Sequence, residues 1–318
     1  MIAFPVCGDA GAESQAMLET GMGSVQGWEC DTFGHMNVQF YLARIGDSLP
    51  ALTLALGLGP HQCRALGAEL VPVDQHIRFL KELRPNQPFT IFGGVLASDG
   101  DRLRFYQEMR NTLTGDVAAS FITVAALVDA ARRSPLALPE AVRSRAAALA
   151  EEVPEHGRPR GIVLDQPRPR PRWAEADRLG LLLMQQAAVG PQDCDARGLM
   201  VPRAFMARVI DAIPNVAART RGVDRSVEKS GAAALEYRLV YHATPRQGDL
   251  LALRAGLKSL GAKAYTWIYW LFDRETGEAV ATTEALAVTF DPATRKAVAL
   301  DEALRQRMAQ FVVPGISV

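Results

Sequence analysis

The chain has 318 residues, of which 35 are basic and 35 acidic, so its formal net charge is zero. Apolar residues make up 48% of the chain, which is typical of a globular protein with a sizeable core. The zero charge argues against a nucleic-acid or membrane-surface protein, because both classes need a positive field to attract phosphates. No apolar run approaches the roughly 18 residues that a membrane-spanning helix requires. The length predicts two domains.

Cysteine usage indicates a reducing compartment. Cys7, Cys30, Cys63 and Cys194 are scattered along the chain without a CxxC pair or a nearby histidine cluster. This spacing disfavours both a disulfide framework and a zinc site. No lysine or arginine precedes Arg44 and the N-terminus has no long apolar run, so we expect no secretory signal peptide. We therefore expect a cytoplasmic protein with reduced thiols.

The chain contains an internal repeat, which appears when it is compared with itself at an offset of 164 residues. Residues 30–50 and 194–214 share 8 identities in 21 positions, where ordinary residue usage gives about one. Further matches follow with small gaps, as between Arg78 and Arg238. We predict one unit made twice by duplication. The predicted domains are residues 1–134, a linker of residues 135–177, and residues 178–318 with a terminal helix.

The linker differs from both copies in composition. Residues 131–180 hold ten arginines against seven acids, and residues 166–172 alternate proline with arginine. Proline at every second position favours an extended polyproline conformation. We interpret this segment as a semi-rigid, solvated spacer that follows a short helix over 139–152. Its arginines also suit RNA or lipid binding, which the composition favours less.

The predicted elements follow the same order in both copies. In copy 1 they are a strand ending near Trp28, an apolar helix over 37–58, and strands over 71–83, 89–97, 103–112 and 117–129. In copy 2 they are a strand ending at Val189, a helix over 202–219, and strands over 232–242, 250–260, 264–273 and 279–291. Pro50 is expected to kink or break the first helix. Short connections at 98–101 and 274–277 predict hairpins, so the sheet is antiparallel and the fold is α+β.

Residues 28–37, with the sequence Trp-Glu-Cys-Asp-Thr-Phe-Gly-His-Met-Asn, lead into the first helix, which carries Tyr41. This motif resembles the signature of hotdog-fold acyl thioesterases. The nearest branches are 4-hydroxybenzoyl-CoA thioesterase, the carnitine-catabolic acyl-CoA thioesterases and the plant acyl-carrier-protein thioesterases. Residues 76–85 resemble the second strand of those enzymes. The resemblance implies a tandem hotdog, in which two units pair into one continuous sheet with active sites in the clefts between them.

Thioester hydrolysis needs a carboxylate and hydrogen-bond donors aimed at the developing oxyanion. The resemblance assigns Asp31 as nucleophile or general base, with His35 and Asn37 in supporting roles. Amides around Asn37 and Val38, at the helix N-terminus, are the expected oxyanion donors, and Gly34 would let the substrate approach the backbone. An aspartate before a helix is also a common cap or turn residue, so each residue alone is weak evidence.

Copy 2 keeps only part of this motif. Asp195 and Gly198 remain, while Leu199 and Val201 replace the histidine and the asparagine. Pro202 removes the amide that matches the expected oxyanion donor. We predict that the second site is degenerate and that each chain has one active site. The alternative is a second, divergent site that uses the aspartate alone.

Several other residues are weaker candidates. Glu82 lies near the position where some acyl-carrier-protein thioesterases carry an acidic catalytic residue, but we interpret it as a solvated strand residue. His242 is its counterpart in copy 2 and is interpreted in the same way. Cys30 beside His35 is an alternative nucleophile, disfavoured because Cys194 persists where the histidine is lost. Candidate contacts for coenzyme A phosphates are Arg78, Lys81, Arg84 and Arg102.

We therefore predict hydrolysis of an acyl-CoA, or of an acyl-carrier-protein thioester, without a metal or redox cofactor. The expected partners are a small-molecule acyl-CoA or an acyl carrier protein, with no nucleic acid and no membrane. A homo-oligomer is a further expectation, because paired units often assemble. The alternatives are a double-hotdog enoyl-CoA hydratase or dehydratase and a non-catalytic acyl-CoA-binding protein.

Overall fold

The computed structural model describes residues 17–222, 231–291, 293–294 and 296–318, so Cys7 and the start of the first predicted domain lie outside the described residues. The strands are β1 (Leu18–Ser24), β2 (Ala68–Phe79), β3 (Pro88–Asp99), β4 (Arg102–Asn111), β5 (Val117–Asp129), β6 (Leu182–Ala188), β7 (Gly231–Tyr241), β8 (Leu250–Leu260), β9 (Ala264–Asp273) and β10 (Ala279–Phe290). The helices are α1 (Val38–Ala55), α2 (Pro60–Ala65), α3 (Glu140–Ala148), α4 (Trp173–Arg178), α5 (Pro202–Arg221) and α6 (Glu302–Ala309). Within the described ranges, no helix is long and apolar enough to cross a membrane.

All ten strands join in one antiparallel sheet with the order β1-β3-β4-β5-β2-β7-β10-β9-β8-β6. The predicted hairpins at 98–101 and 274–277 are confirmed, since β3 pairs with β4 and β9 with β10. Helices α1 and α5 pack on one face of this sheet and against each other. The prediction of an α+β tandem hotdog is thus confirmed.

Helix α1 is continuous through Pro50, so the expected break does not occur. The prolyl residue lies on the exposed side of the helix, where a carbonyl deprived of its amide partner can bind water instead. Leu52 and Leu56, which follow the proline, are almost completely buried. Their packing holds the last turn of the helix in place.

The two halves meet where β2 pairs with β7, and we call this pair of strands the seam. Ile77 lies opposite Tyr237, and both point toward the helices. Charged side chains at the seam point to the other face. His76 Nε2 lies 3.1 Å from Glu236 Oε2, and Arg238 Nη2 lies 2.8 Å from an Asp74 oxygen.

The linker crosses the seam on this outer face of the sheet. The buried Glu236 carboxylate accepts hydrogen bonds from the amides of residues 160–162. Arg238 donates to the carbonyl of Val163 and to Asp165, and Arg78 donates to the carbonyls of His156 and Arg158. Buried charged groups need such partners, and the linker backbone supplies them.

The proline–arginine segment is also attached to the sheet. The Arg168 guanidinium stacks on the Trp270 ring at 4.5 Å, and Arg170 donates through Nε to the carbonyl of Ala279 at 2.6 Å. The segment is therefore held against the sheet and is not a free spacer, although Arg172 is exposed as expected, with 75% of its side chain accessible. Its arginines bind sheet residues far away in sequence, which composition alone does not reveal.

His242 provides a pH-dependent test of this packing. Burial, and then the positive charges of Arg170 and Arg168, lower the pKa of its imidazole from 6.5 to about 4. The unfolded chain therefore binds a proton at higher pH than the folded chain, and this histidine costs stability as the pH falls from 6.5 to about 4. His242→Gln should remove that cost, so its free energy of unfolding should fall less between pH 7 and pH 4 than that of the wild type, by about 3 kcal/mol.

Urea denaturation at several pH values measures this difference. His61→Gln, at an exposed position in α2, is the matched control and should follow the wild type. Parallel stability curves for His242→Gln and the wild type would contradict the proposed environment of this residue.

Candidate active site

The turn that carries Asp31 lies between a short 3-10 helix, Gly27–Glu29, and α1. An antiparallel bridge joins Cys30 to Met36, and the Asp31 amide donates to the His35 carbonyl at 2.8 Å. Gly34 has φ of +74°, which a residue with a side chain rarely adopts. Its amide donates to the Asp31 carbonyl, so Gly34 serves the turn and does not supply an oxyanion donor.

The Asp31 carboxylate is held in one orientation by this turn. Its Oδ1 accepts hydrogen bonds from the amides of Phe33 at 2.9 Å and His35 at 3.2 Å. Among the described residues, Oδ2 has no hydrogen-bond partner. The carboxylate is thus fixed at one oxygen and available for chemistry at the other.

An ion pair between Glu29 and Arg44 supports the turn. The Glu29 side chain, 4% exposed, binds Arg44 of α1 at 2.6 Å, and the Glu29 carbonyl accepts the Asn37 amide at 2.8 Å. Copy 2 repeats this arrangement, with Asp193 bound to Arg208 at 3.1 Å. The sequence carries one signal for this pair, which is the identity of Arg44 with Arg208 in the repeat.

The sequence predicts the Asn37 amide as an oxyanion donor, but this amide already donates to the Glu29 carbonyl. The prediction is therefore wrong for Asn37. The Asn37 side chain instead caps α1, because its Oδ1 accepts the Gln39 amide at 3.2 Å. The next amide, of Val38, has no hydrogen-bond partner within the part of the chain that the structure describes. As the first amide of α1, it lies at the positive end of the helix dipole and can bind an oxyanion.

His35 and Glu82 are brought together. His35 Nε2 lies 3.0 Å from Glu82 Oε2, with side-chain exposures of 13% and 40%. Strand β2 ends at Phe79, so Glu82 lies on the segment that follows it. The Met36 amide donates to the Leu83 carbonyl at 2.8 Å, and this bond holds the segment beside the turn. Glu82 is exposed, as interpreted from the sequence, but it does not lie in a strand and it binds His35.

A cleft of about 770 Å³ opens between the two halves beside this turn. The first half contributes Asp31, Thr32, Phe33, His35, Met36, Asn37, Val38, Tyr41, Phe79, Leu80, Lys81, Glu82 and Arg84 to its lining. The second half contributes Ile210, Ile213, Pro214, Ala232, Ala233, Ala234, Leu235, Tyr237 and Phe290. Asp31, His35, Asn37 and Val38 thus share the cleft with the wall that copy 2 supplies, whereas Gly34 is not part of the lining.

Two of the arginines expected to contact coenzyme A lie elsewhere. Arg78 binds the linker, as described above, on the outer face of the sheet. Arg102 lies at the β3–β4 hairpin, 3.8 Å from Asp101. That hairpin is at the opposite end of the strands from the cleft, about 25 Å away along β2. Arg84 and Lys81 do line the cleft.

The second turn has the same backbone but a blocked carboxylate. Asp195 Oδ1 accepts the amides of Arg197 and Leu199, and Gly198 has φ of +73°. The other carboxylate oxygen of Asp195, Oδ2, accepts a hydrogen bond from the Arg197 guanidinium at 2.6 Å. Arg197 also binds Glu69. Burial alone raises the pKa of the Asp195 carboxyl, but the hydrogen bonds from Leu199 and Arg197 outweigh burial and lower it.

The alternative cysteine nucleophile is not supported. Burial, followed by the charges of Asp31 and Glu29, raises the pKa of the Cys30 thiol. Its Sγ donates to the Gln26 carbonyl at 3.6 Å. A nucleophilic cysteine requires a lowered pKa, because the thiolate is the reactive form.

The family of the chain follows from a match over both halves. The model of the thioesterase-like superfamily matches residues 25–146 and again residues 189–308, together more than half of the chain. The chain belongs to the thioesterase-like superfamily. It is 32% identical over 116 residues to an L-carnitine dehydrogenase/betainyl-CoA thioesterase of Agrobacterium fabrum, covering 36% of this chain and 23% of the relative. A Rhizobium meliloti protein of the same description is 30% identical over 121 residues, 38% and 24% of the two chains.

This chain spans about a quarter of the length of those curated relatives. Solved structures resemble it over more of its length. A 12:0-ACP thioesterase from Umbellularia californica has a TM-score of 0.63 at 12% identity, covering 85% of this chain and 93% of that one. An acyl-ACP thioesterase from Bacteroides thetaiotaomicron has a TM-score of 0.61 at 13% identity, covering 84% and 96%. At such identities the likeness shows the fold alone.

The capping role of Asn37 can be separated from any role in chemistry. Asn37→Ala should lower the free energy of unfolding by about 1 kcal/mol, because the Gln39 amide loses its acceptor. Asn37→Ser keeps a capping oxygen, so its free energy of unfolding should fall by only a few tenths of a kcal/mol. Chemical denaturation measures both values. Equal losses for the two variants would contradict the capping role.

Proposed function

We propose that the chain hydrolyses acyl thioesters of coenzyme A or of an acyl carrier protein in the cleft between its halves. The observation that carries the proposal is the Asp31 carboxylate, which is fixed through Oδ1 and available at Oδ2 in a cleft that the Val38 amide also lines. Family membership supports the reaction class, and the names of the curated relatives support a coenzyme A carrier.

In this proposal Asp31 either attacks the thioester carbonyl carbon or removes a proton from the attacking water. Negative charge then develops on the carbonyl oxygen, where the Val38 amide and the positive end of α1 stabilise it. When the C–S bond breaks, the thiolate leaves and takes up a proton. Water supplies the hydroxyl group of the carboxylic acid, either by direct attack or by hydrolysing the acyl anhydride formed on Asp31. The reaction as written needs no metal or redox cofactor.

The two turns of the chain supply a matched pair of variants. Asp31→Asn keeps an oxygen that can accept the two turn amides but removes the basic carboxylate, so kcat should fall by about 10²–10⁴-fold. Asp195→Asn makes the same change in a turn whose carboxylate is already bound by Arg197, so its activity should stay within about twofold of the wild type. Thiol release from a panel of acyl-CoA substrates, followed with a thiol-reactive dye, measures both.

Full activity of Asp31→Asn would overturn the site assignment. A loss for Asp195→Asn equal to that of Asp31→Asn would mean that the second, divergent site is active. Hydration of crotonyl-CoA without thiol release would favour the hydratase alternative, and tight acyl-CoA binding without turnover would favour a binding protein.

We assign His35 and Glu82 as a pair that acts together in this reaction. A histidine held by a carboxylate 3.0 Å away has a fixed ring orientation, which suits proton transfer to the leaving thiolate or from water. His35→Gln and Glu82→Gln should each lower kcat by about 10²-fold, and the double variant should lose little more than either one.

Steady-state kinetics of the two single variants and the double variant form a double-mutant cycle. Glu152→Gln, at an exposed linker position, is the control and should retain wild-type kcat. Losses that multiply in the double variant would show that the two side chains act independently.

Further expectations from the sequence belong to the same proposal. The matching order of elements in the two halves, and the match of both to one family model, support internal duplication. The three described cysteines, Cys30, Cys63 and Cys194, are free thiols, in keeping with a reducing, cytoplasmic location. Assembly of these double units into a homo-oligomer stays a prediction.

A further inference from the structure

A smaller cavity of about 60 Å³ lies inside the second half, beyond the cleft, and we call it the inner chamber. Four residues, Ile213, Ala232, Ala234 and Tyr237, line both spaces, so the inner chamber adjoins the cleft. The other lining residues are Val216, Ala217, Arg221, Tyr265, Trp267, Tyr269, Ala285 and Ala287.

Small side chains create this space. Ala234 and Ala287 lie opposite each other on β7 and β10, and Ala285 lies two residues further along β10. Alternate residues of β9 form an aromatic wall, which consists of Tyr265, Trp267 and Tyr269. The inner chamber is therefore wide where alanines line it and ends where bulky rings begin.

A buried arginine is part of the chamber lining. Arg221, at the C-terminus of α5, is 5% exposed, and its guanidinium donates to the Tyr265 hydroxyl and lies 5.1 Å from the ring centre. Arg307 of α6 donates to the Arg221 carbonyl, which fixes this end of the helix. A ligand that pushed the guanidinium away from its hydrogen bond would disturb a buried charge at high cost.

The matching interior of the first half has different side chains. Leu103 and Phe105 of β4 are completely buried there and pack with Leu52 of α1. Gln107 of β4 donates through Nε2 to the Ser48 hydroxyl at 2.8 Å. The aromatic wall and the buried arginine of the inner chamber thus belong to the second half.

We infer that the inner chamber receives the end of an aliphatic acyl tail and that its aromatic wall and Arg221 limit the length of that tail. This inference rests on the proposed function and names its substrate class. A water-sized group needs about 10–15 Å³ of such volume, so 60 Å³ holds about four to six tail carbons. The lining is mainly apolar, which suits an aliphatic tail, and longer tails would meet the buried guanidinium.

Ala285→Leu tests the inference by filling the inner chamber from β10, away from the catalytic turn. Ala264→Leu adds the same volume on β9 at a half-buried position outside the chamber and is the matched control. The substrates are straight-chain acyl-CoA thioesters from acetyl to palmitoyl. The wild type should prefer a medium chain length, with kcat/KM falling for longer tails.

In Ala285→Leu this optimum should move to shorter tails. For the substrate that the wild type prefers, kcat/KM should fall by at least about tenfold, since each methylene kept out of an apolar site costs about fourfold. Acetyl-CoA hydrolysis should stay within about twofold of the wild type, and Ala264→Leu should keep the wild-type optimum. If Ala285→Leu does not fold, as judged by circular dichroism, Ala287→Val makes a smaller version of the same change.

Binding of S-hexyl-coenzyme A relative to S-methyl-coenzyme A, measured by calorimetry, separates this inference from the proposed function. These thioethers cannot be hydrolysed, so their relative affinity reports the tail site alone. A preference for the hexyl thioether that Ala285→Leu removes supports the inner chamber, even if the wild type hydrolyses no thioester and the proposed function fails. Thioester hydrolysis with a chain-length profile that neither chamber variant changes would overturn the inference and leave the proposed function standing.

Discussion

The pairing of β2 with β7 is the constraint on which the rest of the structure depends. In this pairing Ile77 lies opposite Tyr237. The second half is thereby placed so that its α5 and β7 form the far wall of the cleft beside the Asp31 turn. The buried pairs of His76 with Glu236 and of Arg238 with Asp74 fix the register. A slip of one residue would turn these charges toward the apolar helices, at a large cost in free energy.

The two turns show how little separates a usable carboxylate from a blocked one. Both are supported by a buried acid–arginine pair and closed by a glycine at positive φ, so the scaffold is the same. At the position of Phe33 the second turn has Arg197, whose guanidinium binds the free carboxylate oxygen with charge-assisted hydrogen bonds. Pro202 then leaves no amide for an oxyanion. The scaffold is kept in both halves, whereas the groups suited to chemistry are kept in one.

Local patterns in the sequence were enough to predict the strands, the hairpins, the central helix and the turn with Asp31, because each depends on residues close together in the chain. The errors involve partners far apart. The linker amides that bind Glu236 are about 75 residues from it, and Arg197 binds a glutamate 128 residues away. Glu82 is exposed as predicted, but its placement in a strand is wrong, because β2 ends three residues before it.

The inner chamber is hard to explain as a by-product of folding. The lining of this space of about 60 Å³ includes Ala234 and Ala285, where a larger side chain would fill the space and add apolar contacts. Small residues at these positions keep the space open. A space that shares four lining residues with the cleft and is bounded by rings and a buried arginine has the form expected of a binding cavity.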